Sequence, residues 1–388
     1  MKQGWEIKKL GEVCEISTGK SNTEDAIENG DFAFFDRSKI VKRSSKFLFD
    51  CDAIIVAGEG QTFLPKFYSG KFDLHQRAYA IYNFDKSVSV HYAYNYLIHF
   101  HKYFESVAVG ATATSLRLRH FQDLPIPIPP IIEQQRIVSI LDEALTAIAK
   151  AKANAEQNLL NANELFENAA QEIFTQKGIN WEENLLGDFA TFRNGINYTK
   201  GSKGEKIKIV GVKDFQDSYW VPDNDLVEVS LDGKINETDL LQEGDILAVR
   251  SNGNPQLIGR TLLAGKINEK VSHSGFTIRI RLNSKIVNPN YLCHFLKIQQ
   301  TRKTLVESGN GVGIRSLNQG SLSSLKIPFP KSLKEQEAII DKVDSIAEQS
   351  QKLKDIYQKK IDDLEELKKS ILQKAFAGEL KTEKAVAV

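Results

Sequence analysis

Apolar residues return at three- and four-residue steps along two long glycine-free stretches of this chain. In the first, 131–177, the seam runs Leu141, Ala144, Ile148, Ala151, Ala155, Leu159, Ala162, Phe166, Ala169 and Ile173. That period predicts a helix with one apolar stripe of coiled-coil type, and its alanines leave room for a partner helix to come close. The second stretch, about 333–376, carries Val343, Ile346, Ser350, Leu353, Tyr357, Lys360, Leu364, Leu367 and Ile371, with Ser350 and Lys360 as polar intrusions that fix register. Pro125, Pro127, Pro129 and Pro130 precede the first stretch, Pro328 and Pro330 the second, and Gly178 and Gly378 terminate them. At 1.5 Å per residue each helix would span roughly 65–70 Å. A single helix of that length with one apolar face is poorly stable alone, so the seams are expected to pair. Chain order then makes the pair antiparallel, a rod with one lobe at each end and a pseudo-twofold axis. Two independent helical linkers are the alternative.

Outside these stretches the pattern changes to short β-branched or aromatic runs between Gly and Asn turns. Residues 53–57, 78–82, 245–249 and 276–281 read as strands, and 90–104 and 289–305 as helices. Each lobe is therefore α+β with a mostly antiparallel or mixed sheet. The lobes repeat one another. Trp5-Glu6-Ile7-Lys8-Lys9-Leu10-Gly11-Glu12 returns as Trp181-Glu182-Glu183-Asn184-Leu185-Leu186-Gly187-Asp188, and Gly19 as Gly195. Leu124-Pro125-Ile126-Pro127 is echoed by Leu325-Lys326-Ile327-Pro328, and Glu133-Gln134 by Glu335-Gln336. A repeat of this size is a duplicated domain rather than a solenoid unit. The boundaries that follow are 1–128 for the first lobe, 129–178 for the central helix, 179–330 for the second lobe, 331–380 for the C-terminal helix and 381–388 for a tail.

The chain has 388 residues, 41% hydrophobic and 26% charged, which suits a soluble protein of two or three domains. No signal-type leader or membrane-length apolar run is read, and Cys14, Cys51 and Cys293 form no CxxC pair, so a reducing cytoplasm is expected and a zinc site is not. Net charge is only +1, but both helical stretches are net acidic, so the lobes carry the positive surplus. It clusters at Arg37, Lys39, Lys42, Arg43 and Lys46, at Lys200, Lys203, Lys206 and Lys208, and at Arg117, Arg119 and His120. Such patches suit a surface that contacts phosphates; each alone also suits a solvated loop.

Catalytic patterns are weak. Gly19-Lys20-Ser21 lacks the upstream glycine of a phosphate loop, and Gly309-Asn310-Gly311-Val312-Gly313 follows a helix, not a strand. His99 and His101 have no third ligand nearby and read as exposed helix-end residues. Asp223, Asp232 and Lys234 imitate a metal-dependent nuclease pattern in one lobe only, and Pro129-Pro130 lacks the flanking residues of an amino-methyltransferase motif.

The order lobe, helix, lobe, helix resembles the specificity subunit of type I restriction–modification enzymes. The resemblance rests on Leu124-Pro125-Ile126-Pro127-Ile128-Pro129-Pro130-Ile131-Ile132-Glu133-Gln134-Gln135-Arg136-Ile137-Val138, on Leu372-Gln373-Lys374-Ala375-Phe376-Ala377-Gly378-Glu379-Leu380, and on the two Trp…Leu-Gly-acid openings. It covers essentially 1–380. The second copy, Ile327-Pro328-Phe329-Pro330-Lys331-Ser332-Leu333-Lys334-Glu335-Gln336, departs by lacking the double proline and carrying one extra residue. The resemblance implies two target recognition domains, each reading one half of a split DNA site, with conserved helices that set the spacer. It also implies a non-catalytic, cytoplasmic protein with no cofactor of its own. Two methyltransferase subunits would dock on the helices, and restriction/translocase subunits would join them. S-adenosylmethionine, ATP and Mg would belong to those partners.

Phosphate contacts position a protein on DNA, and polar side chains in the grooves read bases. Loop residues of the right type for base reading are Gln61, Thr62, Thr112, Thr114 and Arg117 in the first lobe, and Arg250, Asn252, Asn254, Gln256 and Arg315 in the second. Arg37, Lys39, Lys42, Arg43, Arg119 and Lys213 complete the expected DNA-binding set. Two alternatives stay open: a nuclease built on Asp223, Asp232 and Lys234, and a coiled-coil scaffold whose lobes bind proteins.

Overall fold

A computed structural model describes the chain except residues 1–3, 61, 111–113, 177, 200, 217, 308–315 and 381–388. The chain divides into two compact units, 1–156 with 358–388, and 157–357. Two 45-residue helices, Ile131–Thr175 and Leu333–Ala377, each give one half to each unit. In the first unit, Ile137 and Leu141 join a core with Leu372, Ala375 and Phe376, and Lys152 Nζ meets Glu365 Oε1 at 2.6 Å. In the second, Phe174 shares a core with Val343, and the Ser350 hydroxyl donates to the Ala162 carbonyl at 2.9 Å. Residue numbers rise on one helix as they fall on the other, so the helical halves are antiparallel within each unit.

Every position of the first seam is buried or half-buried. The second seam departs from its reading. Ser350 is buried, but Leu353 is 36% and Leu367 47% exposed, and Lys360 is exposed too. Tyr357, Leu364 and Ile371 keep their expected places as half-buried residues, and Ile361, outside the expected seam, is half-buried too. The positions spaced by sevens from Val343 hold, and only the alternate set Leu353, Lys360 and Leu367 turns to solvent.

The first unit holds a six-stranded sheet in the order Glu15–Thr18, Ala78–Tyr82, Phe49–Ala57, Lys66–Leu74, Phe32–Phe35, Lys42–Ser44. All neighbours are antiparallel except Phe32–Phe35 with Lys66–Leu74. The second unit repeats this order with one interruption. Ala190–Asn194, Thr277–Leu282, Ile246–Val249 and Thr261–Leu263 form one antiparallel sheet. Val227–Ser230, Lys206–Val210 and Val271–His273 form another, with the last two strands parallel. The nine-residue strand Lys66–Leu74 is thus matched by two short strands, Thr261–Leu263 and Val271–His273.

The repeated motifs at the ends of each lobe pair with each other. Glu6–Lys9 runs antiparallel to Pro125–Ile128, and Trp181–Leu185 to Lys326–Pro330. The Leu10 N–H donates to the Leu124 carbonyl and the Leu186 N–H to that of Leu325, both at 2.8 Å. The following acid caps the turn: Glu12 accepts from the Lys9 N–H and Asp188 from the Leu185 N–H, both at 3.1 Å.

Three readings of local structure need correction. The stretches 90–104 and 289–305 are each two helices, Val90–His99 with His101–Val107, and Pro289–Lys297 with Gln299–Glu307. Ile298 leaves the helical region at ψ 132° and is buried, and Phe100 sits at φ −92°, ψ 12° with its ring 4.4 Å from that of Tyr96. Packing of these apolar side chains overrides helix propensity. His99 is not an exposed end residue: it is half-buried and stacks on Phe376 of the C-terminal helix with ring centroids 5.6 Å apart. Phe276 precedes rather than begins its strand, Thr277–Leu282.

Candidate functional site

In each unit, two parallel strands and the hairpin beside them end at one corner, and the two corners match bond for bond. The His75 N–H donates to the Phe35 carbonyl at 2.9 Å, as the Ser274 N–H does to that of Val210 at 3.0 Å. The Gly58 N–H donates to the Arg77 carbonyl, and the Arg250 N–H to that of Phe276, both at 2.8 Å. Leu116 closes on the Gly58 carbonyl at 2.8 Å and Leu317 on that of Arg250 at 2.9 Å. These bonds make positions 77 and 276, 58 and 250, and 116 and 317 equivalent. The described parts of the loops singled out from sequence, 58–60 with 114–117 and 250–256 with 316–318, therefore meet within each unit.

In the first unit the corner is charged. Glu59 is largely buried and takes ion pairs from Arg37, at 2.9 Å, and from Arg77. His75 is buried beneath them, and its Nδ1 accepts the Arg77 N–H at 3.0 Å. Burial, then Arg37, holds the imidazole pKa below its usual value, so the ring stays neutral and able to accept that bond. Strand Glu59–Gly60 pairs with Thr114–Ser115, and the Thr114 hydroxyl donates to the Gly60 carbonyl. Arg117 and Arg119 follow, both exposed.

The basic run before this corner is mostly tied down. Lys42 Nζ lies 2.7 Å from the buried Asp36 carboxylate. Burial opposes that charge, yet hydrogen bonds from Lys42 and Ser38 prevail and lower its pKa to about 2. Arg43 donates to the Gly30 and Asp31 carbonyls. Lys66 holds the Ser38 and Lys39 carbonyls at 2.9 and 3.0 Å. Lys42 is thus tied to a buried acid and Arg43, though exposed, is held by two carbonyls, while Lys39 keeps an exposed side chain. Sequence alone could not separate these roles, because the acceptors are distant carbonyls and an acid on the neighbouring strand.

In the second unit the same corner is a cleft of about 1000 Å³. Lys213, Ser251, Asn252 and Ser274 line it together with two exposed aromatics, Tyr198 and Phe276. Asn252 Oδ1 accepts the Asn254 N–H at 2.8 Å, and Asn254 Oδ1 accepts the Gln256 N–H at 3.0 Å. These two side chains therefore shape the loop with their oxygens, and their amide NH₂ groups take no part in those bonds. Gln256 is exposed beside them, and Thr62 is exposed in the first unit. Gln61, Thr112, Arg315 and Lys200 lie outside the described residues. In the second basic run Lys206 pairs with Glu228 and Lys208 with Glu269, at 3.0 and 2.5 Å.

Sequence reading passed over Arg77, Tyr198 and Phe276. Arg77 follows a strand with no turn signature, and Phe276 was absorbed into the strand it precedes. For the nuclease alternative, Asp223 and Asp232 lie in turns on either side of Val227–Ser230, and no three His, Cys, Asp or Glu side chains cluster as a metal site among the described residues. No described helix is long and apolar enough to cross a membrane.

Comparison with known proteins agrees with this duplicated architecture. The family described as the type I restriction modification DNA specificity domain matches residues 2–158 and 178–365. The chain is 27% identical over 308 residues to the StySPI specificity subunit of Salmonella potsdam, covering 74% of this chain and 65% of that protein. It is 23% identical over 407 aligned positions to the EcoDI specificity subunit of Escherichia coli, covering 97% of this chain and 88% of that one. The chain thus spans just under two thirds of the Salmonella relative. Among solved structures, a chain from a study of complex assembly and conformational transition in the type I R-M system superposes with a TM-score of 0.75 at 16% identity, covering 98% and 99% of the two chains. The HsdS subunit of Thermoanaerobacter tengcongensis superposes at 0.57 and 17% identity, covering 98% of each.

Proposed function

The chain belongs to the type I restriction-modification DNA specificity family, and from that premise we propose that it is a recognition subunit whose two corners each read one half of a split, asymmetric DNA site. The observation that carries this reading is the corner itself. The same backbone bonds recur in both units, while the side chains they present differ in charge, size and aromaticity. A duplicated frame with unlike reading surfaces is what two different half-sites require. In this reading, target recognition domains at 1–128 and 179–330 contact DNA. The helices at 129–178 and 331–380 set the spacer and dock two methyltransferase subunits, and 381–388 is a tail. Half-site separation then follows from the rigidity of the connecting helices. Restriction/translocase subunits join the assembly in the cytoplasm, and S-adenosylmethionine, ATP and Mg act in the partners.

Arg37, Lys39, Thr114, Arg117 and Arg119 form the first-half surface in this proposal, and Lys213, Arg250, Asn252, Asn254 and Gln256 the second. Thr62 adds to the first half; Gln61, Thr112 and Arg315 stay assigned on residue type alone. The test is selection from random duplexes by the chain assembled with its methyltransferase subunits. A two-part motif with unlike halves and a fixed gap is the expected product. Enrichment of a continuous motif, or of none, overturns the reading and favours the scaffold alternative.

A further inference from the structure

Positions 77 and 276 occupy one and the same point of the duplicated corner. Each lies in the turn that leaves a parallel strand and re-enters the sheet, and each gives its carbonyl to the loop across the corner, at Gly58 and at Arg250. That turn is fixed twice more in both units. Gln76 N–H meets the Ser21 carbonyl at 2.9 Å where Gly275 N–H meets that of Ile196 at 2.8 Å, and Ala78 and Thr277 close back on His75 and Ser274, both at 2.9 Å. A backbone held this firmly presents its side chain from a rigid base, as a reading residue needs.

The side chains are opposites. Arg77 is an exposed cation buttressed by Glu59, which also holds Arg37. A carboxylate on one side of a guanidinium fixes its plane and leaves the remaining N–H donors for a ligand. Phe276 is 61% exposed at the rim of the cleft that Lys213 and Asn252 also line. A ring this exposed offers an apolar face that a ligand can cover, and the Lys213 cation and Asn252 amide in the same cleft suit DNA rather than an apolar protein face.

We propose that this turn position is a base-reading position in both units: Arg77 reads guanine through its O6 and N7, and Phe276 reads the C5-methyl of thymine. Both contacts belong to the major groove, where guanine offers two acceptors to a guanidinium and thymine a methyl group to an apolar side chain. The proposal rests on the half-site reading given above. Within it, each domain's preference at one base pair is set by a residue outside the loops at 58–62, 112–117, 250–256 and 313–318.

The experiment uses the assembled complex and a duplex carrying its selected split site. In one series each thymine is replaced singly by deoxyuridine, which removes only the methyl; in the other each guanine is replaced by 7-deazaguanine, which removes only N7. One thymine of one half-site is expected to lose roughly fourfold in affinity on replacement, about the value of one methyl group. The variant Phe276→Ala should no longer distinguish thymine from deoxyuridine there, and Phe276→Leu should keep part of the distinction. One guanine of the other half-site is expected to lose on the order of tenfold, with Arg77→Ala blind to the change and Arg77→Lys intermediate. If every thymine and guanine that wild type discriminates is still discriminated by the alanine variants, the assignment is overturned while the split site stands. If no split site is selected at all, the underlying reading fails instead.

Discussion

Gln134 and Gln336 make the same three hydrogen bonds, one set in each unit. Gln134 Oε1 accepts the Ser89 N–H at 2.8 Å, and its Nε2 donates to the Ser87 and Pro129 carbonyls, both at 2.7 Å. Gln336 Oε1 accepts the Asn288 N–H at 2.7 Å, and its Nε2 donates to the Ile286 and Pro330 carbonyls at 2.8 and 2.9 Å. Both side chains are fully buried. Each glutamine thus joins the first turn of a long helix to the segment that opens a lobe helix, and each satisfies three backbone groups, two part-buried and one buried. Replacing Gln134 by Leu removes all three bonds and leaves the buried Pro129 carbonyl without that donor, at about 1–3 kcal/mol. Amide exchange should then quicken in residues 1–156 and 358–388 while 157–357 keeps its protection, and Gln336→Leu should give the mirror result. Unchanged exchange in the altered unit would remove this role.

Gly19 and Gly195 stand where the chain crosses the end of the parallel strand. A Cβ on Gly19 would lie 1.7 Å from the Leu74 carbonyl oxygen, and one on Gly195 2.2 Å from that of Ser274. Backbone cannot withdraw from these positions without breaking the corner. Gly19→Ala should therefore cost about 3 kcal/mol or more in urea unfolding, near the upper end for single substitutions. Gly253→Ala, with open space around its Cβ position, should change stability little.

His273 makes the second unit acid-sensitive. Burial, then Arg279, Arg193 and Arg281, lower its pKa to about 3. A base whose folded pKa is depressed contributes stability that is complete above its unfolded value near 6.5, and that contribution is lost as pH falls toward about 3. By pH 5 the loss is about 2 kcal/mol. Urea midpoints of wild type should fall more steeply between pH 6.5 and 4 than those of His273→Asn. Parallel profiles would assign the acid sensitivity to other groups.

Lys39 and Lys42 are three residues apart and should behave differently. Lys42→Ala leaves the buried Asp36 carboxylate without its cation and should lower stability by roughly 2–3 kcal/mol. Lys39→Ala should leave stability unchanged, weaken DNA binding equally across sequences, and reduce the slope of log affinity against log salt by about 1. A Lys39→Ala variant with an unaltered salt slope would not be a phosphate contact.

Much of the architecture is legible in the chain because its signals are local or repeated. The Leu-Gly-acid openings announce a capped turn, the Glu-Gln pairs announce an anchored helix start, and the three- and four-residue period announces the helices. The reading weakens where one residue's role depends on a partner far along the chain. Lys42 looks like a free surface cation until Asp36 is seen beside it, and Arg43 until the 30–31 carbonyls that hold it are seen. Leu353 and Leu367 look like seam residues until their exposure is seen. Arg77 carries no turn signature and Phe276 adjoins a strand-forming run, so the corner they share appears only when the backbone bonds of the two units are compared.

The central claim is that each unit reads its own half of the site. Its most direct test is to repeat the selection from random duplexes with the complex carrying Arg117→Ala. Arg117 is exposed at the first corner, so truncating its side chain tests reading rather than folding. Degeneration of one half of the motif, with the other half and the gap unchanged, is the predicted result. Equal degradation of both halves, or a motif identical to that of wild type, would contradict it.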